Sequence, residues 1–250
     1  MNNTTIIPLL SALLPAMALL AYIIWQDRKS PEPWQKLLNA TSLGVLAIPL
    51  TMCIVFPLQS IGLVSLSCDT FGQAVNISFL GAAIPEELAK LLMLWLFLRK
   101  NPFFDERMDG IVYAVCVSLG FAGLENVMYV IGDTDWMSVA LLRAFTAVPG
   151  HFCFGVIMGY FYSLAKFDPK NRTKYSILAL VAPILAHGIY DTIAFATALP
   201  IASEVVLNIL FIGCCFLLWR WVIMVSACLS SDAFLQHLLH ILHLKIWKKM

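Results

Sequence analysis

Eight ionisable residues, Glu86, Glu87, Lys90, Glu125, Arg143, His151, His187 and Asp191, sit inside stretches of a 250-residue chain that are otherwise apolar enough to lie in lipid. Such groups are costly there unless they face a wet or paired interior, so they mark a candidate functional site. Hydrolysis of an amide needs an activated water, donors for the tetrahedral oxyanion and an acid for the leaving amine. Two glutamates, a His-Asp pair and a second histidine can supply all three. No Gly-x-Ser-x-Gly element is present, and Cys153 is the one serine or cysteine within a turn of His151 or His187. A covalent nucleophile is therefore disfavoured, and Cys153 is expected to pack.

Spacing sharpens this picture. Glu86 and Lys90 are four residues apart and Glu87 and Lys90 three apart, so all meet on one helical face. One lysine cannot neutralise two glutamates, which leaves a carboxylate able to act as a base. Glu125, with the amide of Asn126 beside it, has no basic residue in its own span and must find a partner elsewhere. Arg143 either joins this site or snorkels to the headgroups. His187 and Asp191 are four apart, an arrangement that orients an imidazole. Glu125, His151, His187 and Asp191 could together hold a catalytic Zn²⁺, with Glu86 or Glu87 as base. The chain lacks His-Glu-x-x-His, and a metal-free glutamate mechanism fits the same residues equally.

The elements that carry these residues follow from composition. Apolar residues make up 60% of the chain and charged ones 12%, with a mean hydropathy of +0.84. Soluble domains are nearer ~45–50% and ~25%. The expected fold is an all-α, polytopic helix bundle with about seven spans, near 5–25, 37–58, 72–98, 110–131, 139–165, 175–199 and 203–226. Apart from Lys90 and Arg143, every Lys and Arg falls after span 1, 3 or 5, or at the end of span 7 and beyond. The positive-inside rule then puts the N-terminus outside and the C-terminus in the cytoplasm. Span 1 lacks a basic n-region and reads as a retained helix. Pro85 is expected to break span 3, opening a new helix at the paired glutamates. Gly120 and Gly123, and Gly155 and Gly159, are expected at close helix contacts. At ~1.5 Å per residue, Glu125, Asp191, His151 and His187 lie roughly 9, 12, 18 and 18 Å below the outer ends of their spans, and Glu86 roughly 21 Å or less.

Residues 1–226 read as one membrane domain whose motif-bearing core is 72–195, and 227–250 as an amphipathic helix on the cytoplasmic leaflet. His237, His240 and His243 in that tail read as its polar edge rather than a metal tract. The lipid bilayer is the expected environment, and a net charge of +1 excludes a nucleic-acid partner. Seven cysteines show neither a disulfide framework nor zinc-knuckle spacing.

Several segments together resemble one family. Glu86-Glu87-x-x-Lys90, the run Phe104-Asp105-Glu106-Arg107-Met108-Asp109-Gly110-Ile111-Val112-Tyr113, and Gly120-Phe121-Ala122-Gly123-Leu124-Glu125-Asn126-Val127-Met128-Tyr129 look like the PrsW family of intramembrane proteases. Arg143, Pro149-Gly150-His151 with Gly155 and Gly159-Tyr160, and His187-Gly188-Ile189-Tyr190-Asp191 resemble its later motifs in the same order. The resemblance implies endoproteolysis of a membrane-anchored protein near the extracytoplasmic face, of the site-1 type acting on an anti-sigma factor. It implies Glu86 as base, Glu87 in support, held by Lys90, and His187 with Asp191 positioning water or the oxyanion. Glu125 stands where the related CAAX prenyl peptidases have a histidine, which weakens a prenyl-substrate reading. A multi-pass protein of a bacterial or archaeal cytoplasmic membrane is implied, with Zn²⁺ as the candidate cofactor if there is one. Two other classes use such residues: proton-coupled transporters, which need a polar route to both faces and often an inverted repeat, and scaffolds whose buried ion pairs only specify packing. Here the charges stop near the midplane and no repeat is present.

Overall fold

The computed structural model describes residues 3–199 and a few positions between 208 and 220. Among the described residues it is a bundle of helices with no strand: α1 (Asn3–Gln26), α2 (Trp34–Ser60), α3 (Phe71–Asn76), α4 (Ile84–Leu98), α5 (Arg107–Gly132), α6 (Trp136–Phe145), α7 (Ala147–Phe167) and α8 (Arg172–Ala196). Five stretches, Ile6–Gln26, Trp34–Ser60, Arg107–Gly132, Trp136–Phe167 and Pro169–Ala196, are long and apolar enough to cross a bilayer. Expected span 3 is a composite rod of α3, a π-helical segment (Ile77–Ala83) and α4. The seventh expected span lies mostly, and the tail 227–250 wholly, outside the described residues.

Two departures from regular helix set the site. Pro85 lacks an N–H and its ring crowds the carbonyl four residues before it. The backbone does not break there but changes type: residues 77–83 are π-helical, the Ile84 N–H bonds the Phe79 carbonyl, and α4 carries Glu86 and Glu87 in its first turn. Single π-helical turns are frequent at functional sites. Expected span 5 is likewise divided, at Thr146 (φ −121°, ψ −76°), into α6, whose last turn holds Arg143, and α7, whose first turns hold His151.

α5 is the axis of the bundle. Its apolar window is 78% buried, against 22% for α1, and α1, α2, α6 and α7 pack around it. Small residues allow this. A Cβ on Gly120 would lie 2.0 Å from the Thr41 carbonyl oxygen, and one on Gly44 1.9 Å from that of Val117, so α2 and α5 touch backbone to backbone. Gly159 lets α7 approach Gly110 and Ile111 nearly as closely, at 2.5 and 2.6 Å from such a Cβ, whereas Gly123 has room for a side chain. α8 closes on α7 and on the π-helical segment, where Gly188 lies under the Phe79 ring.

Candidate active site

The eight residues meet in one connected network. Lys90, fully buried on α4, reaches Glu87 Oε1 at 2.8 Å, Glu86 Oε2 at 3.2 Å and His151 Nδ1 of α7 at 3.1 Å. On one side, Glu87 Oε1 is 2.9 Å from His187 Nδ1, and His187 Nε2 is 3.2 Å from Asp191 Oδ2, both residues on α8. On the other, His151 Nε2 is 3.0 Å from Glu125 Oε2 on α5. Arg143 of α6 donates to that oxygen at 2.6 Å and to Asn126 Oδ1 at 2.8 Å, and Asn126 Nδ2 donates to the Ala12 carbonyl of α1 at 2.7 Å. Ion pairs and hydrogen bonds thus run unbroken through α8, α4, α7, α5, α6 and α1.

Aromatic rings frame the network. Phe121 lies 4.1 Å beneath the Lys90 ammonium, Tyr129 3.9 Å from the Arg143 guanidinium, and Phe154 stacks on His187 at 4.6 Å. Ser118 donates to the His151 carbonyl at 2.6 Å. Arg143 points inward rather than snorkelling. Phe154 and Ser118 could not be singled out from sequence, because their types are ordinary for a buried helix; Phe121 and Tyr129 stood in a motif but without a role.

The two glutamates are not equivalent. Glu87 is wholly buried, and its Oε2 has no partner. Glu86 edges a cavity of about 320 Å³ between α2, α4 and α5, lined also by Ile48, Thr51, Met52, Phe121, Glu125, Met128 and Tyr129. Among the described residues Glu86 Oε1 accepts no hydrogen bond, whereas Glu125 is paired with Arg143 and hydrogen-bonded to His151. The tautomer of His151 follows from its neighbours: Nδ1 accepts from Lys90, so Nε2 carries the hydrogen and donates to Glu125.

A buried, charge-dense pocket of Glu, His and Lys inside an apolar helix bundle defines the class as a membrane-embedded enzyme. The sequence pattern of the PrsW family intramembrane metalloproteases matches residues 32–225, and the chain belongs to that family. It is 39% identical over 183 residues to Protease PrsW of Bacillus subtilis (strain 168), covering 73% of this chain and 80% of the relative. It is 36% identical over 182 residues to that of Geobacillus kaustophilus (strain HTA426), covering 73% and 77%. To that of Clostridioides difficile (strain 630) it is 31% identical over 188 residues, covering 74% and 77%. No solved structure matches the chain. It is a protease of the intramembrane type, in a multi-pass bacterial membrane protein.

The family description implies a metal, and the donors here fit one. One ligand atom from each of Glu86, Glu87, His151 and His187 lies within 4.8 Å of the others. Two imidazoles and two carboxylates are the donor types Zn²⁺ takes, and Glu87 Oε2 is a buried oxygen without a partner. This group shares His151 and His187 with the set expected from sequence. Glu125 and Asp191 bond the two imidazoles from outside, the place of groups that orient ligands. Lys90 touches three of the four donor residues.

Proposed function

We propose that the chain cleaves a membrane-anchored protein by general-base hydrolysis, with Glu86 activating the water. The observation that carries this is the contrast between the glutamates: Glu87 is sealed from the cavity and bridged by Lys90 and His187, whereas Glu86 lines the cavity. A water in the cavity gives its proton to Glu86, which returns it to the leaving amine. Glu87, locked between Lys90 and His187, positions both. Lys90 and His187 bring positive charge next to Glu86, where the oxyanion forms. Glu125 and Asp191 orient the two imidazoles. A metal, if bound, would be held by Glu87, His151 and His187 and would supply Lewis acidity and a water of lowered pKa. Chelation with metal analysis of active enzyme separates this scheme from the metal-free one.

The charge bias places the end bearing Arg28, Lys29, Arg99, Lys100 and Arg107 in the cytoplasm of a bacterial cell. The pocket then opens towards the extracytoplasmic half of the bilayer, and the substrate class this reading takes is a membrane-anchored protein such as an anti-sigma factor. Purified wild type and Glu86→Gln are compared on such a substrate, with product termini mapped by mass spectrometry. The variant loses at least about 10²-fold in rate while melting like wild type, and the termini lie near the extracytoplasmic boundary. Full activity of Glu86→Gln, or termini on the cytoplasmic side, removes this reading.

A further inference from the structure

A second cavity, of about 730 Å³, lies at the opposite, basic end of the bundle, between α4, α7 and α8. At the pocket end α8 is pinned to the π-helical segment by Gly188 beneath Phe79. Towards the basic end α4 and α8 part, and the cavity fills the gap. One wall is the leucine row Leu88, Leu91 and Leu92 of α4, and Ala179 of α8 faces it. Leu88 and Leu92 are each about two-fifths exposed, at 42% and 41%, so the row continues onto the outer surface of the bundle.

The mouth is different in character. Arg99, Lys166 and Arg172 line it, and no acidic residue does. Among the described residues none of the three forms an ion pair with a carboxylate. Lys166 donates to the Phe104 carbonyl, and Asp105 and Asp109 act on it only from beyond ion-pair distance. Asn101 also lines the cavity, 8% exposed. Three cations without an anion thus crown an apolar slot. From Leu88 to Arg99 the slot runs ~16 Å along α4 at 1.5 Å per residue, about one leaflet of a ~30 Å hydrocarbon core.

We propose that this groove binds an anionic phospholipid, an acyl chain lying along the α4 leucines and the phosphate held by Arg99, Lys166 and Arg172. Basic pockets between helices at the cytoplasmic side suit such headgroups, and a purely apolar occupant would leave three charges unmatched. The site shares no residue with the proteolytic pocket and stands independently of the mechanism proposed for it.

The test uses the full chain in detergent, exposed to mixed vesicles of phosphatidylglycerol and phosphatidylcholine, with retained lipid read by native mass spectrometry. Wild type retains phosphatidylglycerol preferentially. Each basic side chain removed weakens that preference about five-fold, so Arg99→Gln/Arg172→Gln loses on the order of 25-fold. That double variant leaves the Lys166 contact to Phe104 intact, and melting temperature verifies its fold. Lys174→Gln, basic but outside the groove, keeps the preference. Equal retention of both lipids, or a double variant like wild type, overturns the proposal. So does inorganic phosphate competing as well as the lipid, which would indicate a free-anion site. A photo-crosslinker at Leu92 should capture lipid; capture of residues 203–226 or of a second protein would also overturn it.

Discussion

The bundle buries two groups of carboxylates, about 24 Å apart along α5 at 1.5 Å per residue, and they are stabilised in opposite ways. In the proteolytic pocket each carboxylate faces a cation or an imidazole: Glu86 and Glu87 face Lys90, Glu125 faces Arg143 and His151, and Asp191 faces His187. At the basic end Asp27 and Asp109 are buried beside Glu32, and among the described residues no Lys, Arg or His lies within ion-pair distance of them. Their partners are neutral. Tyr113 donates to Glu32, and the Asp105 and Glu106 N–H groups donate to Asp109. The first group can stay ionised in a dry interior. The second lacks a cation, and burial favours the protonated forms of Asp27 and Glu32.

The contrast breaks most visibly at Lys90. Lys90→Met leaves two buried glutamates without their cation, and breaking a buried pair from one side costs about 3–5 kcal/mol. Denaturant unfolding in detergent should show that loss, whereas Lys90→Arg should recover part of it. A Lys90→Met variant as stable as wild type would mean that the glutamates take up protons freely and that the pocket resembles the basic-end group.

A smaller effect tests the other arm of the network. Glu125→Gln and Arg143→Gln, alone and together, form a double-mutant cycle whose coupling should be about 1–3 kcal/mol, as for contacting groups in one network. At the basic end Tyr113→Phe removes one neutral donor and should cost about 1 kcal/mol. Additivity of the first pair, or a Tyr113→Phe loss as large as that of Lys90→Met, would erase the distinction.

Much of the pocket was legible because charge in an apolar span is rare enough to be informative by itself. Glu86, Glu87, Lys90, Glu125, Arg143, His151, His187 and Asp191 were all visible that way, and i+3 and i+4 spacing anticipated the Lys90 and His187–Asp191 pairs. Which carboxylate faces the cavity depends on the rotation of α4, and the π-helical turn before Ile84 sets that rotation. Spacing arguments assume regular α-helix, so they anticipated a break at Pro85 and could not see a register change. The metal-capable set escaped for a related reason. Glu125 and Glu87 are both one hydrogen bond from an imidazole, and only tertiary packing places one inside the cluster and the other behind it. Nor could sequence show the basic-end group, since Asp27, Glu32 and Asp109 lie near span ends, where acidic residues are ordinary.

The last expected effect concerns pH at that basic end. Burial, with Asp109 nearby, pushes the Asp27 carboxyl up to about 7, and burial likewise pushes Glu32 up to about 8. Both bind protons more tightly folded than unfolded, where ordinary values near ~4 apply. Between those limits the native state holds more protons, so stability falls as pH rises. Hydrogen exchange at residues 27–33, which join α1 to α2, should therefore quicken from pH 5.5 to 8.5 by more than the intrinsic chemical rate. Glu32→Gln keeps a neutral side chain at every pH and should reduce the excess to the part Asp27 contributes, while Glu125→Gln, far away in the proteolytic pocket, should leave it unchanged. A flat wild-type profile would mean that the basic-end carboxylates are ionised throughout, and the two groups would then differ in location alone.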